Sequence, residues 1–162
     1  MIFASVGSML PFDRLTRGVD EWAAANPSTP VFLQIGDGDY IPRHAQWARL
    51  IPHEDYLRRL AECDLFVAHV GIGSIIQALE IGTRMVMLPR LASLGEHTTE
   101  HQLHTAARFG HSPGLTIVDT IDALKASMSE FAGQPLAQER RIAAFAPPHL
   151  TDRVRHFISS TP

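Results

Sequence analysis

The chain has 162 residues, which fits one domain, and 45% of them are apolar, enough to build a buried core. A net charge of −3 and a pI near 6.3 exclude the basic surface that holds nucleic acid. The single cysteine, Cys63, excludes a disulfide framework and favours a reducing cytoplasm. With no charged leader before residues 2–6 and no long apolar run, we expect neither a signal peptide nor a transmembrane helix. Any membrane contact is expected to be peripheral and to depend on a partner.

Short apolar runs rich in β-formers alternate with segments of helical period. The predicted strands are residues 2–6, 31–35, 49–51, 65–69, 85–88 and 115–118. The predicted helices are residues 12–25, 54–62, 74–81, 99–109 and 121–131, and a C-terminal helical region from about residue 136 reaches Phe157 after a break at Pro147-Pro148. Apolar strands separated by helices indicate a parallel sheet covered on both faces. We therefore predict one α/β domain over residues 1–162, a Rossmann-like doubly wound parallel sheet whose ligands lie beyond the carboxyl ends of its strands.

Gly7-Ser8 follows the first predicted strand. A Gly-Ser turn lets backbone amides approach an anion or a ribose closely. The same residues fit an ordinary strand-to-helix turn, and this short motif alone does not separate the two interpretations.

The fourth predicted strand runs into His69, Gly71, Gly73 and Ser74. Two glycines permit close backbone approach, and we expect Ser74 to be the N-cap of the next helix. That helix would then present free amides and the positive end of its dipole to a diphosphate, with a further hydrogen bond from His69. The spacing is neither the dinucleotide fingerprint nor a Walker loop, and a capped helix beside a buried histidine is the plainer alternative. The position of the loop favours phosphate binding.

A polar cluster follows the fifth predicted strand. Glu96, His101 and Gln102 are suited to hydrogen-bonding sugar hydroxyls, and Arg90 is suited to a phosphate or a carboxylate. The rival interpretation is a zinc site, since His97, His101 and His104 recur at helical spacing. Neither an Asp-rich nor an HExxH pattern supports zinc, so we predict no metal and no cofactor. A solvated helix start is the third interpretation.

The order and spacing of these motifs resemble the glycosyltransferase family 28 C-terminal domain. The matching segments are His69-x-Gly71-x-Gly73-Ser74, Ala78-Leu79-Glu80-Ile81-Gly82, Pro89-Arg90, Gly95-Glu96-His97, His101-Gln102, Gly7-Ser8 with Pro11-Phe12-Asp13-Arg14-Leu15, and Gln34-Ile35-Gly36 with Tyr40-Ile41-Pro42. The similarity extends from Met1 to about Asp119. Within the family the chain resembles the small catalytic subunit of two-subunit UDP-sugar transferases, as in the dolichol-pathway UDP-GlcNAc transferase and bacterial exopolysaccharide glucuronosyltransferases.

The resemblance implies the donor-binding half of a GT-B enzyme, in which two Rossmann-like lobes share donor and acceptor. It places Ile51 by the uracil, the loop from His69 to Ser74 on the diphosphate, and His101-Gln102 on the sugar. Gln77 stands where the family commonly has a glutamate that grips the ribose. The predicted substrate-binding residues are Gly7, Ser8, Ile51, His69, Gly71, Gly73, Ser74, Gln77, Arg90, Glu96, His101 and Gln102.

The implied reaction is inverting transfer from a UDP-sugar, in which an acceptor hydroxyl attacks the anomeric carbon while UDP leaves. The general base usually comes from the acceptor lobe, so no catalytic base is assigned to this chain. We expect UDP-glucuronate as donor, a lipid-linked acceptor in bacterial exopolysaccharide synthesis, and a membrane-associated partner subunit with the acceptor lobe, which would hold this chain at the inner face of the cell membrane. UDP-GlcNAc as donor and a non-catalytic UDP-sugar-binding regulatory domain are the alternatives. A nucleotide-sugar epimerase of related fold would need both lobes in one chain.

Overall fold

Six parallel strands form one sheet in the computed structural model, which describes residues 1–110, 112, 114–132, 134 and 148–160. The strands are β1 (Ile2–Ser5), β2 (Val31–Gln34), β3 (Gln46–Ala48), β4 (Leu65–His69), β5 (Met85–Leu88) and β6 (Leu115–Ile117). Their order is β3-β2-β1-β4-β5-β6, which is the strand order of the Rossmann fold. Every pairing is parallel, so all six carboxyl ends lie along one edge of the sheet. The predicted fold class is confirmed.

Helices cover both faces of this sheet. They are α1 (Asp13–Ala25), α2 (His53–Glu62), α3 (Ile72–Ile81), α4 (His101–Phe109), α5 (Ile121–Ala132) and α6 (Pro148–Ser160), with a short 3₁₀ helix at Ala92–Leu94. Successive side chains of a strand point to opposite faces, so Ile2 packs into a core with α1 and α5, whereas Phe3 packs into a second core with α2 and α3. Both side chains are fully buried, which explains why the central strands are apolar throughout.

The edge strand β3 differs from the prediction. We expected a strand at residues 49–51, but the residues paired with β2 are Gln46–Ala48. An edge strand is covered on one side only, so it needs no continuous apolar run and the short Leu50-Ile51 pair was misleading. Pairing ends at Arg49, whose carbonyl accepts the amide of Gly36. The chain then leaves the sheet, so that Leu50 and Ile51 line a cavity instead of extending β3.

Two helix starts are also displaced by two residues from the predicted positions. The helix α3 begins at Ile72, two residues before the predicted start, because Gly71 adopts the extended conformation of an N-cap residue. The helix α4 begins at His101, two residues late, since the amide of Thr99 is bonded to the side chain of His97 in the preceding bend.

The C-terminal prediction is tested only in part. Its residues 135–147 lie outside the described part of the chain, and α6 starts at Pro148, a residue well suited to the first helical position. Among the helices that the structure describes, none has the length and apolar character needed to cross a membrane.

Candidate functional site

A cavity of about 550 Å³ opens at the carboxyl edge of the sheet. Segments that follow β1, β3, β4 and β5 contribute to its wall, together with the end of β2. Ten of the predicted site residues line it, namely Gly7, Ser8, Ile51, His69, Gly71, Gly73, Ser74, Gln77, Arg90 and Gln102. Glu96 and His101 are not among its lining residues. The structure therefore brings most of the predicted residues together at one place.

The imidazole of His69 lies between two glycines at the floor of this cavity. A Cβ atom added to Gly71 would stand 2.2 Å from Nε2 of His69, and one added to Gly7 would stand 2.7 Å from its Cε1. Gly7 also has a φ of 82°, which L side chains rarely adopt. Neither position therefore accepts a side chain without moving the ring. These two glycines make room for His69 as well as for any ligand.

His69 is neutral at physiological pH. Burial, reinforced by the nearby charge of Arg90, lowers the pKa of His69 from 6.5 to about 4. Its Nδ1 atom is buried and has no hydrogen-bond partner among the described residues. A hydrogen bond with the backbone of Ser5 partly opposes this lowering of the pKa, and a neutral imidazole has one N–H donor and one acceptor nitrogen.

The N-terminus of α3 faces the same cavity. No side chain caps this helix, and Ser74 is the third residue of its first turn, so the prediction that Ser74 is the N-cap was wrong. The amides of Ile72, Gly73 and Ser74 have no partner within the helix, and the helix dipole adds positive potential there. A Cβ atom at Gly73 would meet no atom within 4 Å, so the space beside it is open. This end of α3 has the features of an anion-binding site.

The other end of the cavity lies beneath the end of β2. The buried amide of Gln34 donates to the carbonyl of Gly7 at 3.4 Å and to Oγ of Ser5 at 3.3 Å, and its oxygen accepts the amide of Ile51 at 3.3 Å. Tyr56 lines this end, and burial raises the pKa of its phenol. Gln34 thus fixes the first loop and the segment after β3 relative to each other. Neither Gln34 nor Tyr56 was predicted as a site residue, although the position of Gln34 at a strand end is a signal in the sequence.

Arg90 lines the cavity, and its guanidinium is bonded to backbone carbonyls, so its predicted contact with a phosphate or a carboxylate stays a prediction. Arg90 is 2% exposed and donates to four backbone carbonyls, those of Val6, Leu10, Pro11 and Glu96. Its guanidinium carbon also lies 4.6 Å from the centre of the Phe12 ring. Burial lowers its pKa only to about 10, so it stays charged. Arg90 therefore anchors the loop after β1 to the loop after β5.

Glu96 also connects separate segments of the chain, and it does not line the cavity. Its carboxylate accepts two hydrogen bonds from Arg14, at 2.7 and 2.8 Å, and one from the amide of Leu91 at 3.0 Å. Such a bidentate pair has a fixed geometry and a carboxylate that is already occupied. The role predicted for Glu96, binding sugar hydroxyls, stays a prediction.

Gln102 and His97 line the cavity on the β5 side. Gln102 is buried, and its side-chain oxygen accepts the amide of Arg90 at 2.9 Å. His101 is exposed, and its ring packs edge to face against that of His97, with 6.4 Å between the ring centres. His97 was not among the predicted substrate-binding residues, although it belongs to the Gly95-Glu96-His97 segment that resembles the family and was weighed as a zinc ligand. Among the described residues, no group of three side chains is arranged to hold a metal ion.

The strand order and the position of the cavity show that the protein is an α/β domain of the Rossmann-like class. The model of the glycosyltransferase family 28 C-terminal domain matches residues 1–152. The chain belongs to this family. No curated protein matches the chain.

Several solved glycosyltransferases have a similar fold. The chain is similar to the crystal structure of the glycotransferase of kitacinnamycin, with 25% identity and a TM-score of 0.59 over 83% of this chain and 35% of that one. Similarity of fold alone links it to CalG4, the calicheamicin glycosyltransferase, with 15% identity and a TM-score of 0.54 over 82% of this chain and 34% of that one. The same holds for SnogD from Streptomyces nogalater, with 19% identity and a TM-score of 0.53 over 99% of this chain and 40% of that one. The chain thus spans 34% to 40% of the length of these structures.

Proposed function

We propose that the cavity at the carboxyl edge binds a UDP-sugar and that the chain is the donor-binding, catalytic subunit of an inverting glycosyltransferase. The observation that carries the proposal is the N-terminus of α3, which no side chain caps and which lines a cavity of mixed polar and apolar residues in a family 28 domain.

We propose that the donor lies along the carboxyl edge of the sheet, with its uracil at the β3 end and its hexose at the β5 end. From β2 and β3 towards β5, the wall presents Ile51 and Tyr56, then the start of α3 with His69, then Gln102. An aromatic and apolar end suits the uracil, the α3 amides suit the diphosphate, and the Gln102 amide suits the hexose hydroxyls. Gln77, one turn along α3 from Ser74, is the residue we assign to the ribose.

This arrangement supports departure of UDP. Negative charge grows on the diphosphate as the bond to the anomeric carbon breaks, and fixed amides with the dipole of α3 stabilise it without reorganising. Neutral His69 adds one directional hydrogen bond. Deprotonation of the acceptor hydroxyl needs a base, which we assign to the acceptor lobe and to no residue of this chain.

The acceptor and the partner are inferred from the resemblance to two-subunit transferases. We propose a lipid-linked acceptor of bacterial exopolysaccharide synthesis and a membrane-associated second polypeptide that carries the acceptor lobe and holds this chain at the inner face of the cell membrane. For the donor, UDP-glucuronate rests on the resemblance alone, because the guanidinium of Arg90 is occupied by carbonyls.

A transfer assay tests the proposal. The purified chain, with and without membranes containing the partner, is incubated with a lipid-linked acceptor and either UDP-glucuronate or UDP-GlcNAc. We expect transfer only when chain and partner are combined, and from UDP-glucuronate. Transfer from UDP-GlcNAc and not from UDP-glucuronate would mean that UDP-GlcNAc is the donor. Full turnover by the isolated chain would contradict the two-subunit organisation, and donor binding without turnover under every condition would favour a regulatory domain.

A further inference from the structure

His97 occupies a place in the cavity that the sequence did not predict for it. It lines the wall together with Gln102 and His69, whereas His101 is exposed and does not line the cavity. Of the two histidines, only His101 was predicted to contact the sugar. The structure brings only one of them to the cavity.

The protonation pattern of the His97 ring follows from its neighbour. The backbone amide of Thr99 donates to Nδ1 of His97 at 3.2 Å. A backbone N–H can only donate, so Nδ1 is the acceptor nitrogen and the neutral ring carries its proton on Nε2. His97 therefore offers one N–H donor whose tautomer is set before any ligand binds.

The backbone next to His97 is fixed by the hydrogen bonds of the preceding residue. The preceding residue, Glu96, is fixed through its carboxylate by Arg14 and Leu91, and its carbonyl accepts a hydrogen bond from Arg90 at 3.2 Å. The ring itself packs edge to face against His101. A side chain on so fixed a support can act as a directional contact, because little ordering remains to be done when a ligand arrives.

We propose that His97 is the specificity-determining residue at the sugar end of the site, where its Nε2–H donates to an oxygen of the transferred hexose. This rests on the proposed function, since it needs a UDP-sugar in the cavity. His97 and Gln102 both follow β5, and both line the cavity on that side of the start of α3. This is the end of the cavity that we assign to the hexose. His101 is then a positioning residue that acts through the His97 ring.

Calorimetric titration with UDP, UDP-glucuronate and UDP-GlcNAc tests the assignment, using His97→Ala, His97→Gln and His97→Asn. One hydrogen bond to an uncharged hydroxyl predicts that His97→Ala weakens the preferred UDP-sugar about three- to tenfold and UDP less than about twofold. The amide nitrogen of glutamine reaches the place of Nε2, so His97→Gln should recover most of this loss, whereas the shorter asparagine should behave like alanine. His104→Ala is the matched control, because His104 is an exposed histidine of α4 that does not line the cavity.

The outcomes separate this inference from the proposed function. If the parent chain binds neither UDP nor a UDP-sugar, the proposed function fails. If the parent binds both and His97→Ala binds the preferred UDP-sugar as tightly as the parent, only the assignment of His97 fails. Equal weakening of UDP and UDP-sugar would place His97 on the diphosphate and overturn its role at the sugar. Unchanged melting temperatures of the variants guard against reading a folding defect as a lost contact.

Discussion

Arg90 is expected to stabilise the folded domain through the four carbonyls it binds. Arg90→Lys keeps the positive charge but replaces a planar fork with a single ammonium that cannot reach all four acceptors or stack on Phe12. Hydrogen bonds to a charged group contribute about 1.5–3 kcal/mol each, and lysine retains some of them, so we expect a loss of about 2–3 kcal/mol in the free energy of unfolding. For a domain of this size that lowers the melting temperature by roughly 4–12 °C.

Thermal unfolding followed by circular dichroism, without ligand, measures this effect. The control is Arg58→Lys, the same change at an exposed arginine of α2 whose visible partner is Asp55 in its own helix, and it should stay within about 0.5 kcal/mol of the parent. The reasoning fails if Arg90→Lys unfolds at the parent temperature yet binds UDP much more weakly. That result would mean that the guanidinium serves the ligand and not the loops.

Three further predictions concern neighbouring groups. Gln77→Glu should bind UDP as tightly as the parent or up to about fivefold more tightly, because a charged acceptor strengthens hydrogen bonds to ribose hydroxyls, and a large loss in calorimetry would give Gln77 another role. Glu96→Gln should lower the free energy of unfolding by about 1–2 kcal/mol by weakening the pair with Arg14, while UDP affinity changes less than about threefold; the reverse pattern in melting and titration would put Glu96 in the site. In the folded protein the pKa of His69 is about 4, below its ordinary 6.5, so the unfolded chain binds a proton at this residue more readily than the folded one. The free energy of unfolding should therefore be highest above pH 6.5 and fall by up to about 3 kcal/mol as the pH drops towards 4. Urea unfolding at stepped pH should therefore show a shallower acid slope for His69→Asn, and an unchanged slope would mean that His69 is not buried neutral.

The central strands and the position of the cavity at the carboxyl edge could be predicted from the sequence, because both follow from the apolar strand pattern. A strand buried on both faces, such as β4, must be apolar throughout, and in a parallel sheet the loops after such strands meet at one edge. The edge strand β3 could not be located in the same way, since Gln46 and Trp47 are exposed and carry no such constraint.

The direction of individual polar side chains depended on distant segments and could not be predicted. An arginine after a strand can serve a ligand or backbone carbonyls, and for Arg90 the choice is made by Leu10 and Pro11, about 80 residues away. Likewise, the spacing of Gly71 suggested close approach of a ligand, whereas its nearest steric constraint is the ring of His69. The helical spacing of the histidines could not show that His97 precedes α4 and faces the cavity.

Calorimetric titration of UDP into the parent chain and into Gly73→Val tests the central claim most directly. The open space beside Gly73 lets the variant fold, but a valine there would fill the approach to the α3 amides. Ala61→Val, the same β-branched side chain at an exposed position of α2, is the matched control. A UDP-sugar site at the start of α3 predicts that the parent and Ala61→Val bind UDP equally and that Gly73→Val, with an unchanged melting temperature, binds it at least about tenfold more weakly. Equal affinity of all three proteins would place the diphosphate elsewhere and contradict the account.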